Sequence, residues 1–458
     1  MDKMVIEGGF PLVGEVSISG SKNASLPIIV SSIMFDEFDC EIENVPDLED
    51  IKTIKKLLIS LGAVIKKSGA ADKLVINTSG INNFDAPYDL VKTMRASVLV
   101  LGPLIAKYKR ARVSLPGGCA IGARPIDFHL NALKQLGATV KVDHGYVEVF
   151  ADKLKGAVIN FPIPSVTGTE NVIMAAVLAE GTTIIKNAAR EPEIDDMITA
   201  LNNGGADIKR IEPSVISVKG VKKLNRLCHR VLPDRIEAGT FMVASAITKG
   251  DIVLKNLNVN HLKSVIDKLS EAGVKVIINS SNSIRVKGSK VIKSVDISTA
   301  PYPNFPTDMQ AQIMSLMTLS SGLCVITENV FENRFMHVAE LIRLGANIKV
   351  RNNFAIVKGV KKLSGAEVMA TDLRASASLV LAGLASSDGL TTVSRIYHLD
   401  RGYEIMEKKL TALGAIISRV KANDISPVPD GESRFSGIAC SKTACNNNIY
   451  LYINENFK

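Results

Sequence analysis

The residues best placed to do chemistry lie in one short stretch, Leu115-Pro116-Gly117-Gly118-Cys119-Ala120-Ile121-Gly122-Ala123-Arg124-Pro125. Its glycines and prolines rule out a helix or a central strand, so it reads as an exposed loop of the kind that closes over a site. A core thiol does not belong there. Free thiols titrate near about 8.5, and a nearby guanidinium lowers that value. Cys119 close to Arg124 is therefore a candidate to give or take a proton near neutral pH. Spacing alone also allows an incidental loop cysteine. Cys40, Cys228 and Cys324 lie in apolar or strand-like contexts and read as inert, and none forms a CxxC pair. The histidines show no metal-ligand spacing and read as structural, with His144 in a hairpin.

A second set of chemical groups opens a series of apolar segments. These starts read Ser21-Lys22-Asn23, Thr93-Met94-Arg95, Thr167-Gly168-Thr169-Glu170, Asp234-Arg235, Thr307-Asp308 and Thr371-Asp372-Leu373-Arg374. Ser, Thr and Asp are ordinary helix N-caps, and Thr167 with Glu170 has the spacing of a capping box. Lys22, Arg95, Arg235 and Arg374 do not fit that reading, because a cation at a helix N-terminus opposes the macrodipole. They imply a bound anion or, alternatively, pairing with nearby acids.

The elements that carry these groups repeat. Amphipathic segments end at Gly62, Gly137, Gly205, Gly273, Gly345 and Gly414, with spacings of 75, 68, 68, 72 and 69 residues, so one supersecondary unit is copied six times. Before the first glycine, Ile51, Ile54, Leu57, Leu58 and Leu61 fall at helical spacing, and glycine ends a helix at little cost. β-Branched hairpins follow, as at 274–278 and 283–286. The other helix of each unit is expected at 23–34, 94–108, 170–181, 235–250, 308–322 and 373–389. These segments are apolar nearly all round and should be buried on every side. Each unit reads strand, buried helix, strand, amphipathic helix, hairpin. The expectation is an α/β chain of two domains with three units each, and basic helix N-termini gathered on one face of each domain.

Composition narrows the function classes. A chain of 458 residues with 46% apolar residues is globular, and its net charge of +9 suits anionic ligands. The basic residues are scattered, with no nucleic-acid-binding signature. The N-terminus lacks a signal-peptide core, and the longest nearly apolar stretch, 96–106, is too short to span a bilayer. Few, dispersed cysteines fit a reducing compartment. We therefore expect a cytoplasmic enzyme without membrane insertion, metal or cofactor.

With these residues assembled, the chain resembles the enolpyruvyl transferases. PGGCAIGARPIDFHL at 116–130 carries the resemblance most strongly. GSKNASLP from Gly20, PSVTGTEN from Pro164, AAREPEI from Ala188, LPDRIEAGTF from Leu232, PTDMQAQ from Pro306, ENRFMH from Glu332, TDLRASASLVLAGL from Thr371 and LDRGYE from Leu399 support it across all six repeats. The resemblance implies two inside-out, barrel-like α/β domains of three βαβαββ repeats each. One would span 23–232; the other would join 1–22 to 233–424. The tail, 425–458, matches nothing in the family and reads as a loosely ordered extension.

The resemblance also implies an activity: transfer of the enolpyruvyl group of phosphoenolpyruvate to the 3′-hydroxyl of UDP-N-acetylglucosamine, with release of phosphate. The shikimate 3-phosphate branch lacks the PGGC loop and ranks second; a non-catalytic relative is the third reading. By motif, Cys119 is the acid and Asp308 the base, with Lys22 and Arg401 also catalytic. Phosphoenolpyruvate would meet Lys22, Asn23, Arg124, Arg334, Arg374 and Arg401. The nucleotide sugar would meet Arg95, Arg124, Pro125, Ile126, Asp127, Phe128, Ile163, Pro164, Ser165, Val166, Asp308 and Val330. Thr167 stands where the family often has glycine. The phosphonate epoxide fosfomycin would alkylate Cys119.

Overall fold

The computed structural model describes residues 2–35, 39–66, 69, 72–92, 94–115 and 126–421. Cys119, Arg124, Pro125 and Thr93 lie outside the described residues, as does the 425–458 tail. The arrangement below concerns Met1–Arg419, which forms one unit; Val420–Lys458 forms a second.

Six four-stranded sheets, each belonging to one repeat, make up the β structure. One of them shows the shared plan. Strand Asp85–Ala86 runs parallel to Arg110–Ser114, which pairs antiparallel with Tyr146–Phe150, and that strand closes the hairpin with Thr139–Asp143. Apolar residues alternate along Tyr146–Phe150, with Val147 and Val149 buried, as a sheet with one face on a core requires. The sheets are separate among the described residues, so the inside-out arrangement is made of open sheets and not of a closed barrel.

Chain closure is what makes the repeat plan complete. The first sheet borrows its leading strand, Cys228–Arg230, from far along the chain, parallel to Cys40–Glu43. Val13–Ser17 leads the fourth sheet, parallel to Asp251–Lys255, and Asp2–Glu7 pairs antiparallel with Leu390–Ser394 in the sixth. One apolar core runs from Ala24 to Val231, and a second joins Met4–Ile18 to Ile236–Ile417. The chain passes between them twice, side by side: Gly20 bridges Pro233, Ser21 N–H donates to Leu232 O at 2.8 Å and Asp234 N–H to Ser19 O at 2.9 Å. A Cβ on Gly20 would lie 1.7 Å from Asn44 O, so the crossing needs glycine.

The buried helices are Lys22–Ser31, Leu101–Tyr108, Val166–Ala176, Arg235–Ile247, Gln310–Met317 and Leu373–Ala385. In the second half the last three touch one another. Val166–Ala176, Gln310–Met317 and Leu373–Ala385 stop short of the boundaries their hydropathy suggests, at Gly181, Gly322 and Gly389; those glycines have positive φ and turn the chain toward the next strand. The second buried helix opens as a 3-10 turn, Arg95–Val100, and becomes α at Leu101. Pro103 then sits in the first α turn, where its missing N–H costs nothing. Gly102 lets the neighbouring buried helix approach, and its N–H donates to Asn171 Oδ1 at 2.7 Å. All six glycines that end the amphipathic helices have positive φ, between 89° and 110°. Among the described residues, no helix is long and apolar enough to cross a membrane.

A further set of glycines locks sheet to helix. Gly8, Gly220, Gly288 and Gly359 each follow the strand of a repeat that lies beside the end of a buried helix. A Cβ on Gly359 would lie 1.6 Å from Ser320 O, and one on Gly220 1.6 Å from Ala179 O. Backbone cannot yield as a side chain can. Gly359→Ala is therefore expected to cost about 1–3 kcal/mol, as overpacked cores do, read as a lower midpoint of urea unfolding. An unchanged midpoint would show that this contact relaxes freely.

Candidate functional site

Polar groups at the starts of the buried helices converge into two ionic clusters. The first is built around Asp50. This residue opens the amphipathic helix Glu49–Leu61 and continues the buried stripe of Ile54, Leu57 and Leu61. Its carboxylate accepts from Lys22 Nζ at 3.1 Å and from Arg401 Nε at 2.8 Å. Lys22 begins the first buried helix, capped by Ser21, whose hydroxyl accepts from Ala24 N–H. Arg401 ends the 3-10 helix Ile396–Arg401 of the second half. Burial alone would raise the Asp50 carboxyl; the Lys22 and Arg401 charges outweigh it and hold it below the usual range.

The second cluster is built around Asp308, in the 3-10 turn Thr307–Met309 that leads into Gln310–Met317. Arg334 donates to its Oδ1 at 2.6 Å and Arg374 to its Oδ2 at 2.8 Å. Each arginine is itself held. Arg334 also donates to Thr307 Oγ1 at 2.7 Å, and Thr307 donates to Glu328. Arg374 N–H donates to the helix cap Asp372, and its guanidinium donates to Tyr403 Oη at 3.2 Å. The phenol in turn shares hydrogen bonds with Thr240 and Gln312. Burial opposes ionisation of Asp308, but Arg374 and Arg334 prevail and hold its carboxyl well below the ordinary range. Glu328 also takes the N–H groups of Val330 and Phe331, which fixes the backbone at Val330.

Of the cations that open buried helices, three meet acids. Lys22 meets Asp50, Arg374 meets Asp308, and Arg235 meets Glu193 at 2.9 Å. The first two clusters are linked, since Lys22 N–H donates to the Asp234 cap and Asp234 in turn lies within electrostatic range of Arg374. Arg235 forms a third, buried pair with Glu193, its guanidinium 5.5 Å from the Tyr302 ring centroid, and it too lies within electrostatic range of Asp308. For Arg235 the pairing alternative thus holds.

The first half supplies a different surface. Ile126 precedes the helix Asp127–Gln135, on which Phe128 packs edge-on to Phe161 at 6.5 Å. Ile163 is 60% exposed and Pro164 is exposed beside it. Ser165 is the true N-cap of Val166–Ala176, accepting from Gly168 N–H. Thr167 and Glu170 therefore lie inside that helix and form no capping box. Thr371 is likewise not the cap of its helix; Asp372 is.

Thr167 instead contacts His129 Nε2 at 3.2 Å, and Asn171 Nδ2 meets His129 Nδ1 at 2.8 Å. Asn171 Oδ1 already accepts from Gly102, so its nitrogen donates to Nδ1 and the imidazole proton sits on Nε2. Burial and the charge of Arg95 push the His129 pKa down to about 4, so this link between the two helices stays neutral. Arg95 stands at the start of its 3-10 turn, and Asn23 is partly exposed beside Lys22. Among the described residues, no hydrogen bond or ion pair joins Asp308 or Val330 to Ser165 or Val166. Asp50, Glu328 and Tyr403 were not foreseen. For Asp50 a signal exists, an acid in the apolar stripe of an amphipathic helix.

The family model described as EPSP synthase (3-phosphoshikimate 1-carboxyvinyltransferase) matches residues 6–410. A UDP-N-acetylglucosamine 1-carboxyvinyltransferase of Geobacter metallireducens is 60% identical over 421 residues, covering 92% of this chain and all of that protein. One of Geotalea uraniireducens is 59% identical with the same coverage. The crystal structure of the enolpyruvyl transferase NikO from Streptomyces tendae superposes with a TM-score of 0.83 at 24% identity, over 92% of this chain and 99% of that one, a likeness of fold.

The Asp308 cluster predicts a pH signature. A carboxyl whose folded pKa is depressed contributes stability that is fully present above its unfolded value and is lost as pH falls through the folded value. The unfolded value is about 3.9. Asp308→Asn should therefore be less stable than the parent by a constant margin from neutral pH down to about 5, and the margin should shrink below about 4. Urea midpoints measured against pH decide this. A margin that already closes between pH 7 and 5 would mean the arginines do not hold the carboxylate as described.

Proposed function

This chain belongs to the EPSP synthase family of enolpyruvyl transferases, and from that membership we propose that it transfers the enolpyruvyl group of phosphoenolpyruvate to the 3′-hydroxyl of UDP-N-acetylglucosamine. Phosphate is the second product, and the step would open peptidoglycan synthesis. The observation that carries the reading is the pairing of four cations into two sets. Lys22 and Arg401 flank Asp50, while Arg334 and Arg374 flank Asp308. One set suits the phosphate of the substrate and the other its carboxylate. Arg124 joins the phosphate set by motif.

In the proposed reaction the Cys119 thiol gives its proton to the methylene carbon of phosphoenolpyruvate. The sugar oxygen bonds to C2, and Asp308 takes the hydroxyl proton. The resulting ketal phosphate then returns a methyl proton to the Cys119 thiolate, and the C–H electron pair becomes the C=C bond of the enol ether as the C2–O bond to phosphate breaks; the departing phosphate takes up the proton held by Asp308. Charge moves between substrate, ketal phosphate and free phosphate, and fixed cations stabilise that movement better than reorienting water. Arg334 and Arg374 keep Asp308 ionised, the state a base needs. A substrate carboxylate competing for the same guanidinium groups raises the proton affinity of Asp308 as the hydroxyl arrives. The nucleotide sugar is assigned to Arg95, Ile126–Phe128, Ile163–Val166 and Val330. The proposed setting is the cytoplasm, where Cys119 is kept as a thiol.

Phosphate release from phosphoenolpyruvate tests the reading. It should require UDP-N-acetylglucosamine, and release supported by shikimate 3-phosphate instead would overturn it. Asp308→Ala should lower kcat by about 100-fold or more, as loss of a general base does; normal turnover would return Asp308 to a structural role.

The same loop chemistry makes Cys119 the expected site of covalent inactivation by fosfomycin, faster with the nucleotide sugar bound. Burial pushes the Cys40 and Cys324 thiols up to about 12, which leaves them unreactive. Cys228 lies in a strand, as its context suggests, but on the exposed side, so it is not made inert by burial and is the competing thiol among the described residues. Cys228→Ser should still be inactivated, whereas Cys119→Asp should keep some turnover and resist the drug. An adduct on Cys228, or a fully active Cys119→Ala, would remove Cys119 from the mechanism.

A further inference from the structure

The Asp50 cluster contains more than the two cations assigned to phosphate. Lys22 and Arg401 come from opposite halves of the chain, and both are positive. Without a counter-ion they would repel each other when brought to one subsite. Asp50 lies between them and behind them. Its side chain is 5% exposed, against 13% for Lys22 and 35% for Arg401. It meets Arg401 on Nε only, and among the described residues neither terminal nitrogen of that guanidinium has a hydrogen-bond partner. The forked end is thus left for a ligand while the inner edge is held. Among the described residues Lys22 Nζ likewise makes one bond, to Asp50, and keeps further N–H capacity.

The contact is anchored well beyond an ordinary surface ion pair. The backbone N–H of Asp47, just before the same helix, donates to Glu404 Oε1 at 2.8 Å, and Ser19 Oγ donates to Glu404 Oε2 at 2.5 Å. The segments that carry Asp50, Lys22 and Arg401 are therefore pinned at a second point. The Lys22 backbone N–H is held by Asp234. Asp50 fixes the inner edge of the cation pair.

We infer that Asp50 is a positioning residue for the phosphate subsite, holding Lys22 and Arg401 as one rigid clamp across the two halves. This inference rests on the enolpyruvyl-transfer reading. The carboxylate touches no substrate atom; it acts through the two cations. Its effect has a sign that simple charge counting does not share. Removing a negative charge beside an anion site should tighten anion binding if charge alone matters. Removing the group that aligns the clamp should weaken it.

The experiment is Asp50→Asn in the full chain, which keeps the shape and removes the charge. The readouts are kcat/KM for phosphoenolpyruvate, KM for UDP-N-acetylglucosamine, and the inhibition constant of inorganic phosphate against phosphoenolpyruvate. We expect kcat/KM for phosphoenolpyruvate to fall by at least roughly tenfold, as for a lost transition-state alignment. The phosphate inhibition constant should rise, and KM for UDP-N-acetylglucosamine should stay within about twofold. Phosphate bound as well or more tightly, a smaller fall in kcat/KM, or a parallel rise in the nucleotide-sugar KM overturns the inference. Should D50N not fold, the same readouts on D50E decide. It keeps the charge but displaces the carboxylate by a methylene, so a loss confined to phosphoenolpyruvate and phosphate supports the clamp and parental values overturn it. A parent enzyme that does not turn over the two substrates would instead sink the functional reading itself.

Discussion

Cations placed at the positive ends of buried helices are the constraint around which this structure is organised. Lys22, Arg235 and Arg374 each open such a helix, where the macrodipole and their own charge add unfavourably. The fold answers with carboxylates brought in from other elements: Asp50, Glu193 and Asp308. A buried ion pair is tolerated only when its geometry and remaining hydrogen bonds are well satisfied. Around Arg374 that requirement recruits Asp372, Tyr403, Thr240 and Gln312 into one network. The polar site and the apolar core are thus built on the same helices.

Those helices can be apolar all round because sheets and other helices cover them on every side. Six repeats place strands outside and helices inside, and the glycines after the strands let the sheet backbone touch the helix ends. The arrangement gathers helix N-termini in the second half, where Asp308 and Arg374 meet although 66 residues apart. Exchange of strands between distant parts of the chain then ties the repeats together. Cys228–Arg230 returns to the first sheet, and Asp2–Glu7 and Val13–Ser17 join the sheets of the second half. The paired crossings at Gly20 and Pro233 leave Lys22 and Arg235 at the start of the first helix on either side. That is why these two residues occupy equivalent places and yet serve different partners.

The two acid-centred clusters differ in a way that matters for chemistry. Asp50 is deeply buried and, among the described residues, leaves the outer edge of Arg401 open, a geometry suited to holding a clamp. Asp308 is more exposed and is met by two guanidinium groups at once, a geometry in which an arriving carboxylate competes for the same donors. The neutral His129, fixed by Thr167 and Asn171, ties together the two helices that begin at Asp127 and Val166. Its low pKa keeps that link free of charge at neutral pH.

Much of this was legible in the residues themselves. Period, glycine placement and all-round apolarity specify the six units and their two kinds of helix, because these depend on local spacing and on burial that any packing must satisfy. The motifs identified the family, and the anomaly of cations at helix starts pointed to the ionic site. Pairing was not legible. Whether Lys22 met a ligand or an acid depended on Asp50 and Arg401, which are 351 residues apart and reach one point only through the crossing of the chain. Thr167 read as a cap because caps are defined by neighbours in sequence, whereas its partner is His129, brought beside it by helix packing. Short-range order followed from local chemistry; the choice of partner for every buried charge was made by tertiary structure, because an ion in a low-dielectric interior is stabilised only by what the fold places within a few ångströms of it.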